Sequence, residues 1–445
     1  MNALVAAARP PAELLLRGPH VLDPLAGIDG PHDVLVRDGE IAALGAPASL
    51  EAPAGAQIVE AEGKHLFAAF VDPHVHLRSP GQEHKEDLET GTRAAAAGGY
   101  CAGVAMPNTD PVLDQPALLR GLLMAAARDA RIPVGFMAAI SVGLRGEQLT
   151  EMSELREVGA LGFTDDGKPV ANAGLLRHAL RYQLLCGGVL ALHEEDPALS
   201  GSGVMHEGMV STELGLAGIP SISESTMIAR DALIAEHEHG RVHFQHLSTR
   251  RSVDALAAAR VRGVNVSGEG TPHHLLLTEE AVRPLDSSFK MNPPLRTEED
   301  RLALIDALRD GTIECIATDH APHARDEKNV PFEQAPMGTT GLESSFAVLY
   351  TDLVAPGVLR LEVLLERLTA GARLLGLDVP TIAVGRSANL CLIDLQARWK
   401  IGEAGYESRS SNCCFGGREV SGRTLLTLAD GAVAFRERAF ALSAA

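Results

Sequence analysis

Leu66-Phe-Ala-Ala-Phe-Val-Asp-Pro-His-Val-His-Leu-Arg78 decides how this chain is read. Its apolar first half, residues 66–71, reads as a buried strand. Side chains two apart on a strand point the same way. His74 and His76 therefore present two imidazoles to one side at the strand's C-terminal end. A barrel enzyme begins a metal site in this way. A lone His-x-His is equally a pair of hydrogen-bonded histidines, so the weight falls on what the other strands end in.

Outward from this stretch the texture repeats strand, then helix. Candidate strands are 70–76, 101–107, 134–140, 161–164, 188–193, 241–246, 264–267 and 313–318, with Ala- and Leu-rich helical stretches between them. Eight such units specify an α/β protein, a parallel (β/α)8 TIM-like barrel over residues 67–382. Residues 1–66 hold short alternating segments at 13–17, 33–37, 40–44 and 56–60, separated by turns such as Asp38-Gly39 and Glu62-Gly63. They read as a small antiparallel β unit. The tail, 383–445, has strand-like stretches at 388–394 and 424–428 and is expected to rejoin it. Both chain ends would then build one small β-sandwich domain.

Composition narrows the function. The chain has 445 residues, 46% of them hydrophobic but only 4% aromatic, so its core is mainly Ala, Leu, Val and Ile. That length suits one large domain and a smaller one. A formal charge of −19, from 58 acidic and 39 basic residues, argues against nucleic acid or an anionic membrane as partner. An anionic substrate would need local help from metal or arginine. The six cysteines (Cys101, Cys186, Cys315, Cys391, Cys413 and Cys414) form no Cys-x-x-Cys. Neither a disulfide framework nor a thiolate zinc site is expected, and Cys413-Cys414 reads as small apolar filler. Residues 1–11 lack a charged segment before their Ala-rich stretch, and no apolar run approaches the ~20 residues of a membrane span. The expectation is a cytoplasmic enzyme with a small-molecule substrate.

Polar residues fall where the candidate strands end. His74 and His76 close strand one, Asp165-Asp166 follow strand four, His193 closes strand five, His246 strand six, and Asp319 follows strand eight. In a barrel these ends meet on one face, where active sites are built. Imidazole and carboxylate are the ligands that zinc and similar divalent ions prefer. Six are too many for one tetrahedral ion with an open position, and suit two ions sharing a bridging carboxylate. His20, His32, His65, His84, His178, His206, His237 and His239 read instead as solvated positions. His243 begins strand six rather than ending it, while His273 and His274 follow strand seven and could face the site.

Together these segments resemble the dihydroorotases of the amidohydrolase superfamily, close to the bacterial class I type whose two zinc ions share an aspartate. The matching stretches are Val71-Asp-Pro-His-Val-His-Leu-Arg-Ser-Pro-Gly81, Met106-Pro-Asn-Thr109, Gly162-Phe-Thr-Asp-Asp-Gly167, Leu192-His-Glu194, His243-Phe-Gln-His-Leu-Ser248, Lys290-Met-Asn-Pro-Pro-Leu-Arg296 and Thr318-Asp-His-Ala-Pro-His323. The resemblance implies two Zn2+ per chain, with Mn2+ or Co2+ as substitutes. His74, His76 and Asp319 would hold one ion, His193 and His246 the other. Asp166 would bridge, with Asp165 as the alternative. Many relatives bridge with a carboxylated lysine; here Lys168 lies beyond strand four. Asp319 would also be the catalytic acid and base. Arg78 and Asn108 resemble the residues that hold a substrate carboxylate, the alternative for Arg78 being a salt bridge to Glu83 or Glu86. His76, Leu77, Asn292, His323 and Met337-Gly338 resemble further substrate contacts. The loop with Arg325, Asp326, Glu327 and Lys328 is a candidate lid. Cys101-Ala102-Gly103 departs from the family's usual Thr-Thr and is expected to affect strand packing only.

The implied reaction is the reversible cyclisation of N-carbamoyl-L-aspartate to (S)-dihydroorotate, the third step of pyrimidine synthesis. A homodimer is implied, and association with aspartate transcarbamoylase is possible. Two rivals stand beside it. One is an allantoinase or hydantoinase type of cyclic amidase. The other is a non-catalytic scaffold for the transcarbamoylase, which would have lost ligands that this chain keeps.

Overall fold

The computed structural model describes residues 4–438, Phe440 and residues 443–444. Eight strands make one parallel sheet whose spatial order follows the chain: β1 (Phe70–Val75), β2 (Tyr100–Ala105), β3 (Val134–Ala138), β4 (Gly162–Phe163), β5 (Val189–Leu192), β6 (Val242–Phe244), β7 (Val266–Gly270) and β8 (Cys315–Ile316). A parallel bridge between Val75 and His320 brings the chain after β8 back against β1 and curls the sheet into a barrel. Every residue of β1, β2, β3 and β5 is buried. Helices cover the outside and side chains fill the inside, which is why these strands read as continuous apolar runs. The outer helices include Leu88–Ala97, Pro116–Asp129, Ala173–Cys186, Ile222–Glu238, Arg250–Val261 and Glu298–Asp310. Their starts are set locally. Asp87 accepts from Thr90 N at 2.8 Å, and Thr297 caps the helix Glu298–Asp310 with Asp300 completing the box. Each such cap contributes roughly 1 kcal/mol.

The chain ends build two more sheets. One orders Ser443–Ala444, Gln57–Glu60, Leu14–Arg17, Asp33–Arg37 and Glu40–Gly45. The other orders Ala432–Arg436, Glu419–Ala429, Leu390–Lys400, His65–Ala68, His20–Asp23 and Ile28–Pro31. An apolar core that includes Leu16, Val36, Val59, Leu66, Leu390 and Leu426 unites them.

Three expectations change. The N-terminal unit is mixed, not antiparallel: Leu14–Arg17 runs parallel to Gln57–Glu60, and His20–Asp23 parallel to His65–Ala68. The hairpin of Asp33–Arg37 and Glu40–Gly45 lies between these partners in sequence, and so long a connection can return the chain in parallel. The run 66–71 is not one strand. His65–Ala68 pairs with Leu390–Lys400 in an end sheet, Ala69 N donates to Asn389 O at 3.0 Å, and Phe70 then enters the barrel. Strand seven lies further on than 264–267. Its extension to Gly270 carries Glu269 into the barrel.

Candidate active site

The C-terminal ends of the barrel strands bring the predicted ligands together. His74 Nε2 lies 3.4 Å from Asp166 Oδ1 and 3.5 Å from Asp319 Oδ1. His76 Nε2 lies 3.5 Å from Asp166 Oδ2 and 3.1 Å from Asp319 Oδ1. His246 Nε2 and His193 Nδ1 are 2.9 Å apart, at 3.7 and 4.0 Å from Asp166 Oδ1. A tetrahedral ion with bonds of about 2.1 Å holds its ligand atoms about 3.4 Å apart. The spacing around His74, His76, Asp166 and Asp319 fits that figure. His74 Nε2 is also buried without a hydrogen-bond partner, facing the Asp166 and Asp319 carboxylates. Asp166 reaches all four imidazoles. The Asp165 carboxylate is turned away and accepts from Ile140 N and Ser141 N at 2.9 Å each, and from Ser141 Oγ.

Residues behind two of the predicted ligands, His74 and His76, hold each in one tautomer, while His246 Nδ1 is buried without a partner. Glu269 Oε1 accepts from His74 Nδ1 at 2.7 Å, leaving Nε2 for the centre, while Glu269 Oε2 accepts from His243 at 3.0 Å. His193 Nε2 lies 3.4 Å from Glu195 Oε2 and 3.2 Å from Asn292 Nδ2, and its Nδ1 faces His246. Asn108 Oδ1 accepts from His76 Nδ1 at 2.9 Å, and Asn108 Nδ2 donates to Asp166 Oδ2 at 3.2 Å. Asp72 ties β1 to the end of β8 by accepting from Thr318 Oγ1 at 2.6 Å.

These contacts also set the charges. Burial pushes Asp319 and Asp166 up, but His74, His76 and His246 outweigh it and hold both carboxylates below their ordinary range. Burial drives Glu269 up as well, and the hydrogen bonds and charge of His74 and His243 bring it down to about 2. Ionised carboxylates beside imidazoles are the ligating form. The backbone is bent to present them. Arg78, His246 and Asp319 have φ of 55°, 31° and 47°, a left-handed region that costs a side-chain-bearing residue roughly 1–2 kcal/mol.

Arg78 is 8% exposed and pairs with neither Glu83 nor Glu86. Its Nε donates to Pro322 O at 3.1 Å, and among the described residues no carboxylate meets its guanidinium. Glu83 instead accepts from Gly81 N, and Glu86 is held by Thr90, Ser408, Arg409 N and His320. Burial lowers the Arg78 pKa to about 10, so it stays charged. His323 Nε2 donates to Met337 O at 2.8 Å, leaving a buried Nδ1 without a partner; burial and Arg78 push its pKa down to about 2. Gly338 is the residue that lets these walls meet. Its φ is 136°, and a Cβ there would lie 2.7 Å from the Ala321 Cβ. Asn292 Nδ2 donates to Glu195 at 2.6 Å, with its buried Oδ1 unpartnered. Leu77 points its side chain into the apolar core, so only its backbone is available to a ligand. The segment after His323 is a short helix, Arg325–Lys328, whose Lys328 Nζ donates to Pro336 O and Gly338 O at 2.9 and 3.0 Å.

Other histidines separate clearly. His206 is buried, not solvated, because the 205–219 segment folds over it and Arg296 Nη1 approaches its Nδ1 to 3.1 Å. His274 is engaged by Thr271 Oγ1 and Pro293 O at 2.8 and 2.9 Å, and neither it nor His273 joins the ligand groups among the described residues. Glu269 was legible in principle. Once strand seven runs to Gly270, Ser267 and Glu269 share one face. Glu195 carries no such signal, since its role depends on the loop that follows β5.

Barrel, end sheets and ligand cluster define a hydrolase of the amidohydrolase type with a candidate centre for divalent metal. A family model described as dihydro-orotase-like matches residues 63–252. The chain is 44% identical over 427 residues to the dihydroorotase of Pelotomaculum thermopropionicum, covering 96% of this chain and 99% of that one. It is 43% identical to the dihydroorotase of Syntrophotalea carbinolica, with 95% and 99% covered. Accordingly, the chain belongs to the dihydroorotase family. Its fold is shared more widely. The L-hydantoinase (dihydropyrimidinase) from Arthrobacter aurescens matches with a TM-score of 0.85 at 23% identity, over 97% of this chain and 98% of that chain. The D-hydantoinase (dihydropyrimidinase) from Thermus sp. matches with a TM-score of 0.80 at 27% identity, over 97% of each. Among the described residues no helix is long and apolar enough to cross a membrane.

Proposed function

We propose that this chain is a zinc-dependent dihydroorotase, interconverting N-carbamoyl-L-aspartate and (S)-dihydroorotate. The observation that carries the reading is Arg78, a buried guanidinium beside the ligand cluster that meets no carboxylate among the described residues. A buried charge without a partner is costly, and the guanidinium fork matches a carboxylate. Dihydroorotate carries that group next to its ring amide.

His74, His76, Asp166 and Asp319 would hold one zinc ion, and Asp166, His193 and His246 the second. The nitrogen and oxygen donors, without thiolate, suit zinc, with manganese or cobalt as substitutes. Bound there, the ions would lower the pKa of water and polarise the ring amide carbonyl. Asp319 takes the proton from the attacking water and delivers it to the leaving ring nitrogen, acting as base and then acid. Arg78 anchors the substrate carboxylate. Asn108 orients His76 and Asp166. His323 Nδ1 and Asn292 Oδ1, both buried acceptors without partners, suit the ring N–H groups. Fixed at several points, the amide carbon stays in line with the attacking oxygen.

Metal content per chain, measured together with turnover of dihydroorotate, allantoin and hydantoin, tests the reading. Dihydroorotate is expected to have the highest kcat/KM. Preference for hydantoin or allantoin in metal-loaded protein would overturn it.

A further inference from the structure

The two longest strands of the six-stranded end sheet, Leu390–Lys400 and Glu419–Ala429, are joined by a segment that leaves the sheet and runs back to the barrel mouth. It is pinned along its length. Ser408 Oγ donates to Glu86, Arg409 N donates to Glu86 Oε1 at 3.1 Å, and Ser410 Oγ donates to Lys85 O at 2.6 Å. At its far end stands Asn412, 7% exposed. Its Oδ1 accepts from His323 N at 3.0 Å. Its Nδ2 donates to Ala321 O at 3.1 Å and Gly338 O at 3.2 Å. Its own carbonyl accepts from Thr340 N and Thr339 Oγ1, both at 3.1 Å, and Thr339 Oγ1 in turn accepts from Cys414 N at 2.9 Å.

One carboxamide thus joins the backbones of two separate loops, 321–323 and 337–339. It uses its acceptor on one and its donors on both. An amide side chain is suited to this, since a carboxylate cannot donate and an alkyl group can do neither. The joined loops carry His323 and Met337-Gly338, where a shift of a few tenths of an ångström changes what fits. Asp319 and the four imidazoles take no hydrogen bond from Asn412.

We propose that Asn412 is a positioning residue that sets the spacing of the His323 and Met337-Gly338 walls, and so the fit of the substrate ring. The inference rests on the dihydroorotase reading of the site. It makes the C-terminal tract part of the active-site wall. Asn412→Ala and Asn412→Asp are expected to raise KM for dihydroorotate about 10- to 100-fold, the equivalent of one or two buried hydrogen bonds. Turnover at saturation should stay within about threefold and metal content should not move, because the ligand cluster is untouched. Asn412→Asp keeps the volume and the bond from His323 N, so it carries the test if the alanine variant does not fold. Thr339→Val, which removes one of the two hydrogen bonds to the Asn412 carbonyl, should shift KM in the same direction by a smaller factor. Arg409→Ala, on the same segment, removes the ion pair to Asp87 and the bond to Glu83 O, neither of which touches Asn412, and should leave KM unchanged.

Unchanged KM in folded Asn412→Asp protein would overturn the proposal. So would a loss of turnover that simply tracks lost metal, since that marks a general structural role. Metal-loaded wild-type protein that does not turn over dihydroorotate would overturn the functional reading instead.

Discussion

Between the end sheets, Leu16, Val36 and Leu390 are wholly buried and ask nothing of their neighbours but close contact. At the barrel mouth His74, Glu86, Glu269 and Asp319 are almost as deeply buried, yet each needs a specific partner. The two regions also differ in where the backbone is strained. In the end-sheet hairpins positive φ falls at Asp38 and Asp430, each followed by glycine in a turn that requires it, and in the loop after Glu40–Gly45 it falls at Ala48. At the mouth it falls on Arg78, His246 and Asp319, where no turn demands it. Apolar burial stabilises the fold, contributing about 1.5–3 kcal/mol for each large side chain. Strained, polar burial is held in place by that stability and serves chemistry.

The largest expected effect separates the regions outright. Asp319→Asn should lower kcat for dihydroorotate about 10,000-fold, since it removes the proposed acid and base, while the thermal midpoint changes little. Near-normal turnover would remove Asp319 from the mechanism. The converse change is Leu16→Ala. It should cost about 3 kcal/mol in urea unfolding and leave kcat and KM unaltered at 25 °C. A change in KM there would show that the sandwich and the mouth are coupled.

Arg78→Met should raise KM for dihydroorotate about 100-fold, through loss of one charge-assisted carboxylate contact, with any turnover of carboxylate-free hydantoin unaffected. Equal losses on both substrates would reject the carboxylate role. The smallest effect is pH-dependent. Burial, then the Arg296 charge, push the His206 pKa down from 6.5 to about 4 in the folded chain. Between those values the unfolded chain binds a proton that the folded chain does not, so stability falls as pH drops through that window. His206→Gln should flatten the slope by on the order of 2 kcal/mol, read from urea midpoints at pH 7 and pH 4.5. An unaltered slope would show that His206 is not the group that titrates.

Legibility followed distance along the chain. The imidazoles and Asp166 were readable because each closes or follows a strand, and barrel strands all end on one face. Only the resemblance preferred Asp166 to Asp165; the hydrogen bonds from Ile140 N and Ser141 N show that the Asp165 carboxylate is already engaged. The run 66–71 looked like one strand because both the end sheet and the barrel bury apolar residues. Arg78 had nearby acids in sequence, yet Glu86 is held by Ser408 and Arg409, far away in the chain.

Local periodicity and residue chemistry by themselves determined the barrel, the joining of both chain ends in shared sheets and the imidazoles and carboxylates that meet at the barrel mouth. These depend on which way neighbouring side chains point along a strand, a property of the backbone. Tertiary packing alone decided that Glu269 supports His74, that no carboxylate among the described residues meets Arg78, and that Asn412 joins the loops 321–323 and 337–339. Each of those outcomes turns on hydrogen-bond partners that only folding brings within about 3 Å.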